Sequence, residues 1–127
     1  MNIIFQQQLL YTSIEITYKG KSKSIKNIII DTRAAHSIIS PDSVEDIGIT
    51  SQIEDKLITM YGIGGAQYAY RKKIDNINFG NFSLDEYEMD FGLIDDEGKI
   101  NGLLGLDILM KIGAILDLKN LKIYSSE

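Results

Sequence analysis

The segment Ile28-Ile29-Ile30-Asp31-Thr32-Arg33-Ala34-Ala35-His36-Ser37-Ile38-Ile39 holds the residues best placed to do chemistry: an apolar run, a cluster of small and polar residues, then a second apolar run. Asp31 stands where the first run ends. Desolvating a carboxylate is costly unless it is paired or shares a proton, so an aspartate delivered by a buried strand is read as a functional group that takes or gives a proton from a fixed position. His36 is a candidate pH-sensitive group facing a substrate, although one histidine at the start of a strand is more often a surface residue. Other titratable groups have plainer readings. Asp107 is expected to cap a helix or to partner Arg71 or Arg33. Asp90, Asp95, Asp96 and Glu97 lack the spacing of a calcium loop and read as a solvated turn. Tyr61, Tyr68 and Tyr70 read as hairpin packing.

Composition removes several other chemistries. The 127 residues include no cysteine and one histidine, which excludes disulfides and thiolate chemistry and leaves too few soft ligands for a histidine-built metal site. No metal or cofactor is expected. A net charge of −5 sets the mean field against a polyanion, so nucleic acid is not an expected partner. Hydrophobic residues at 44% and charged residues at 24% describe an ordinary soluble chain, and its length suits one domain over residues 1–127. Because the N-terminus lacks a basic segment and no stretch approaches ~18 uncharged apolar residues, neither leader nor membrane span is expected, and the protein is placed in the cytoplasm.

The elements that must position Asp31 read mostly as short strands. Alternation at Ser13–Tyr18 and a β-type run at Ile25–Ile30 flank the polar Lys19–Ser24 stretch, whose lysines are read as a solvated hairpin cap. Further strands are expected at Leu57–Tyr61, Tyr68–Ile77, Leu84–Phe91, Ala114–Leu118 and Leu121–Tyr124, with an apolar segment at Ile100–Leu104. The tip Gly62-Ile63-Gly64-Gly65 makes the first pair of these a mobile hairpin. Ser40-Pro41-Asp42-Ser43, ended by Gly48, predicts a short helix, and Asp107 predicts a second over Ile108–Ile112, closed by Gly113. Many short strands with close turn signals point to an all-β barrel or sandwich.

Ile29-Ile30-Asp31-Thr32, Ala34 and Ser37 together resemble the motif of the retroviral-type, or retropepsin-like, aspartic peptidases: two hydrophobic residues, Asp, Thr or Ser, Gly, Ala, and Ser or Thr three positions on. Tyr61-Gly62-Ile63-Gly64-Gly65 is placed like that family's flap, and Leu103-Leu104-Gly105-Leu106-Asp107-Ile108-Leu109 is similar to its apolar-apolar-Gly segment and following helix. The resemblance, to a single-domain member of bacterial type, implies a closed β-barrel with one or two short helices, working as a homodimer with an isologous interface. It implies that Asp31 of each copy enters one catalytic dyad and that Thr32 holds the two loops together across the two-fold axis. By the same resemblance, Ala34 packs below the loop. Arg33, Ala35, His36, Tyr61, Ile63, Gly64 and Gly65 are the implied substrate-binding residues, and the partner is a protein or peptide in extended form. The chain ends, Met1–Leu10 and Leu121–Tyr124, are the implied interface segments.

Arg33 departs from the motif, which has glycine there. A guanidinium from each copy brought toward the carboxylates would favour ionisation of both, leaving no shared proton to act as general acid. Alternatively Arg33 points away, or belongs to the substrate pocket and selects acidic side chains. The implied activity is therefore endopeptidase cleavage, with two rivals: a catalytically silent dimer that binds a peptide as an added strand, and a purely structural barrel, which leaves the Asp-Thr pair and the tip glycines unexplained.

Overall fold

The computed structural model describes residues 2–62, 65–95 and 97–126, and for residues 60–62 and 65–67 only the backbone. The alternation at Ser13–Tyr18 is realised in strand β2 (Leu9–Tyr18), which turns Thr12, Ile14, Ile16 and Tyr18 inward. Lys19 and Gly20, both at positive φ (49° and 82°), make the two-residue turn into β3 (Lys21–Ile30), the backbone twist such hairpins favour. The preceding strand, β1 (Ile4–Gln6), escapes a sequence reading. It folds back on β2 through Gln7 and Gln8 at φ 51° and 66°, a turn built without glycine, asparagine or aspartate.

Next come β4 (Ile38–Ile39), β5 (Lys56–Gly62), β6 (Gly65–Phe79), β7 (Phe82–Gly92) and β8 (Gly102–Leu104), then helix α1 (Leu106–Lys111) and the hairpin β9 (Ala114–Asp117) and β10 (Lys122–Ser125). Sheet order is β1-β2-β3-β8-β4-β7-β6-β5, and β2 also pairs with β6 through Glu15↔Asn78, Ile16↔Ile77 and Thr17↔Asn76. That pairing closes a six-membered ring of strands, β2-β3-β8-β4-β7-β6, around an isoleucine-rich core. Ile16, Ile28, Ile39, Ile74, Met89, Phe91, Ile108 and Ile112 are each fully excluded from solvent, and burying a side chain of this size is worth about 1.5–3 kcal/mol. Closure pairs each ring strand on both edges over part of its length, with β1 and β5 as outer additions.

Two expectations change in detail. The helix expected after Ser40 is a pair of single 3-10 turns, Pro41–Ser43 and Glu45–Ile47, ended by Gly48 at φ 87°. Val44 and Ile47 are buried there, so packing fixes the turns although no side chain caps them. Helix α1 begins before Asp107, with Gly105 at the N-cap position and no side-chain cap, so Asp107 is not the cap. The lysine-rich turn is an exposed hairpin end, as expected, although Lys23 also reaches Asp46 at 2.9 Å. Among the described residues no helix is long and apolar enough to cross a membrane.

Candidate active site

The last residues of β3, with Ile28 and Ile29 buried and Ile30 half-buried, run between β2 on one edge and β8 on the other. Ile28, Ile29 and Ile30 pair in parallel with Gly102, Leu103 and Leu104, and β8 pairs on its other edge with Ile38-Ile39. The chain thus leaves β3, makes the loop 31–37, and returns on the far side of β8. Gly102 admits this threading because a Cβ there would lie 2.8 Å from the Ile38 carbonyl oxygen and from the ends of Ile28 and Ile39.

Asp31 is the first residue beyond the paired strand. Its N–H donates to the Leu104 carbonyl at 3.0 Å, its Oδ1 accepts from the Arg33 N–H at 2.9 Å, and its own carbonyl accepts from the Ala34 N–H at 3.2 Å. One backbone donor, the Arg33 N–H, therefore fixes the carboxylate, which remains partly exposed. The Thr32 side chain is exposed and its hydroxyl finds no hydrogen-bond partner among the described residues. Asp31 opens onto a recess of about 450 Å³ lined by Leu9, Ile29, Ile30, Arg33, Ala34 and Leu103. Although Arg33 lines that recess, its guanidinium makes no ion pair with Asp31 or with any other described residue.

The far side of the loop is held by α1. The N–H groups of Leu106 and Asp107, free at any helix start, donate to the carbonyls of Ala34 (2.8 Å) and Ala35 (3.2 Å). Gly105 makes the contact close: a Cβ there would sit 2.7 Å from the Ala34 oxygen. Asp107 then accepts from the Ser37 N–H (2.9 Å) and Ser37 Oγ–H (2.7 Å) through Oδ1, and from the Tyr87 hydroxyl (2.9 Å) through Oδ2. Ser37 Oγ accepts in turn from the Gly105 N–H at 2.8 Å. Burial first, and then the bond to Asp107, hold the Tyr87 hydroxyl protonated well above the usual tyrosine range. Asp107 is thus the anchor of the loop rather than a partner of Arg33 or Arg71.

Arg71 instead pairs with Asp90 at 2.8 Å, and the hydrogen bond to that carboxylate raises its already high proton affinity. Asp90 is 4% exposed within β7, so it is not part of a solvated acidic turn. Asp95 does belong to one, accepting from the N–H groups of Glu97, Lys99 and Ile100, which hold its carboxyl below the usual range. Asp96 lies outside the described residues. His36 is exposed at the edge of a polar recess of about 390 Å³ that it shares with Ser37, Arg71, Tyr87 and Asp107. Ala35 is exposed beside it.

The β5–β6 hairpin is paired as far as Tyr61↔Ala66 and Gly62↔Gly65. Ile63 and Gly64 lie outside the described residues, as does the Tyr61 side chain. Leu9, Tyr87 and the anchoring role of Asp107 were not legible in the sequence. Leu9 reaches the Asp31 recess only because β2 lies against β3, and nothing in the spacing of Tyr87 and Asp107 joins a strand to a helix across the loop.

Comparison with known proteins agrees with this geometry. Residues 14–108 match the family described as aspartyl protease. No curated protein matches the chain. A retropepsin-like aspartic protease from Rickettsia conorii superposes with a TM-score of 0.64 at 16% identity, over 92% of this chain and 84% of that one. The EIAV protease, in complex with the inhibitor HBY-793, gives 0.64 at 18% identity, over 91% of this chain and 98% of its own. The fold is therefore the retropepsin-like barrel, and with its signature segment, Ile28–Ile39, inside the matched region, the chain belongs to the aspartyl protease family.

Proposed function

We propose that the chain is an aspartic endopeptidase that acts as a symmetric homodimer, with the Asp31 carboxylates of both copies forming one dyad. The observation that carries this reading is the presentation of Asp31: a carboxylate fixed by the Arg33 N–H, at the end of a strand flanked by β2 and β8, opening onto a recess with apolar walls. One chain supplies one such carboxylate, and the chemistry needs two sharing a proton. The ionised member takes a proton from water as the water oxygen attacks the scissile carbonyl. The protonated member donates to the carbonyl oxygen, and collapse of the tetrahedral intermediate expels the amine, which takes up a proton. The exposed Thr32 hydroxyl, without a partner among the described residues, is free to bond across the two-fold axis and hold the loops in register. The β5–β6 hairpin, with Tyr61, Ile63, Gly64 and Gly65 at its tip, would cover an extended protein or peptide substrate, with Ala35 and His36 at the edge of the cleft. The protein is read as one cytoplasmic domain over residues 1–127, with no nucleic-acid partner and no cofactor.

The test is digestion of an unfolded protein substrate between acidic and neutral pH by the unaltered chain, R33G, D31N and the double variant. Cleavage by the unaltered chain that D31N abolishes is the expected result. The rival reading, a silent dimer that only binds peptide, is favoured by one feature, arginine where the family has glycine. It would be established by an inert unaltered chain that gains at least ~10²-fold in rate on R33G, a gain that D31N removes.

A further inference from the structure

The recess beside Asp31 has an unusual pairing of surfaces. Leu9, Ile29, Ile30 and Leu103 give it apolar walls, and Arg33 gives it one permanent positive charge. The Arg33 backbone is committed, its N–H bonded to Asp31 Oδ1, whereas its exposed guanidinium has no ion pair or side-chain hydrogen bond among the described residues. A cation left unpaired in a site that also holds the candidate catalytic carboxylate is available to a ligand. The complementary group has an aliphatic stem and an anionic end.

We propose that Arg33 determines specificity by taking the carboxylate of a glutamate that flanks the scissile bond, with the glutamate stem against Leu9, Ile29, Ile30 and Leu103. This rests on the endopeptidase reading and narrows its substrate class. Charge balance supports it. In the proposed dimer each recess carries one guanidinium while the dyad holds one shared proton, which leaves one positive charge uncompensated. A single substrate carboxylate neutralises it, whereas a neutral or basic flank leaves that charge unpaired. Since the dimer offers the recess twice, the acid is accommodated on either side of the bond. A planar guanidinium also holds a carboxylate bidentately, which a lysine could not do as well.

The experiment uses peptide pairs, drawn from a degenerate library, that differ only in Glu or Gln beside the cleaved bond. The unaltered dimer should favour Glu about tenfold in kcat/KM, the size expected of one charge-assisted hydrogen-bonded contact. R33Q should bring the ratio near unity, and R33E should shift preference to Lys. The same pairs are measured for binding by fluorescence anisotropy on D31N, which needs no turnover, with the same order expected. Cleavage without a Glu preference, or a preference that survives in R33Q, overturns the inference and leaves the endopeptidase reading standing. Arg33-dependent binding of Glu peptides with no cleavage by any variant keeps the recess assignment and overturns the endopeptidase reading. Indifference in both assays with no cleavage overturns both.

Discussion

The carboxylate of Asp107 accepts from the Ser37 N–H, the Ser37 hydroxyl and the Tyr87 hydroxyl, and Ser37 is 2% exposed, so its two donors have no water as a ready substitute. Asp107→Ala should destabilise the chain by about 2–4 kcal/mol, because it strands buried donors rather than merely losing a contact. Urea unfolding of the single and double variants with Tyr87→Phe should give less than the sum of the parts, and strict additivity would mean that the two residues are not coupled. Tyr70 presents the opposite case. Its hydroxyl is buried with no partner among the described residues, and burial, with the charges of Asp55 and Glu45, pushes its proton affinity up to about 12. A tyrosine whose folded value lies above the unfolded value, ~10, contributes stability that is complete below ~10 and lost as pH rises toward the folded value. Tyr70→Phe should therefore be neutral or stabilising by up to ~1 kcal/mol at pH 7 and should flatten the alkaline limb of a stability-versus-pH curve. A clear loss of stability at neutral pH would mean that the hydroxyl has a bonded partner.

At the scale of elements, the segment before β5 is tied to β6 by a buried ion pair. Lys72 reaches Asp55 at 2.9 Å, with side chains 6% and 8% exposed, and the Gln52 N–H also donates to Asp55 at 2.8 Å. Burial works to raise the Asp55 carboxyl and is outweighed by the Lys72 hydrogen bond and the Gln52 N–H, so its folded value lies below the usual one. Its contribution to stability is accordingly present above the ordinary carboxylate range and lost as pH falls through the depressed folded value. Lys72→Met, which leaves Asp55 buried and unpaired, should cost about 3 kcal/mol, and adding Asp55→Leu should recover much of it. Unfolding midpoints for the two variants decide this; equal losses in both would mean that the charges were solvated. Where β8 meets α1, Gly105→Ala needs the loop carbonyl of Ala34 to move from 2.7 Å, and the displaced loop carries Asp31. A loss of kcat with KM little changed is the expected signature, read from steady-state kinetics on a cleaved peptide.

For the whole molecule, Ile4, Phe5 and Leu9 on the N-terminal hairpin, at 60%, 62% and 39% exposure, form an apolar edge beside the strand that delivers Asp31. Phe5→Glu should weaken self-association in sedimentation equilibrium without lowering the unfolding midpoint at protein concentrations where the monomer dominates. An unaltered association constant would move the interface elsewhere. The sequence by itself determined the strand-rich class, the Asp31 segment and the positions of most strands along the chain, because alternation, turn residues and an aspartate ending an isoleucine run are local signals. It also pointed to Gly48 and Gly113 as the ends of helical turns, since positive φ favours glycine whatever surrounds it. Tertiary structure alone decided the rest. Leu106–Lys111 begins without a capping side chain because its first N–H groups are satisfied by loop carbonyls distant in sequence. The Gln7-Gln8 turn is held by the pairing of Ile4–Gln6 with Leu9–Tyr11 against its local preference. Asp107, Ser37 and Tyr87 meet because β8 threads between the strands before and after the loop, a contact between chain segments that pattern and propensity do not encode.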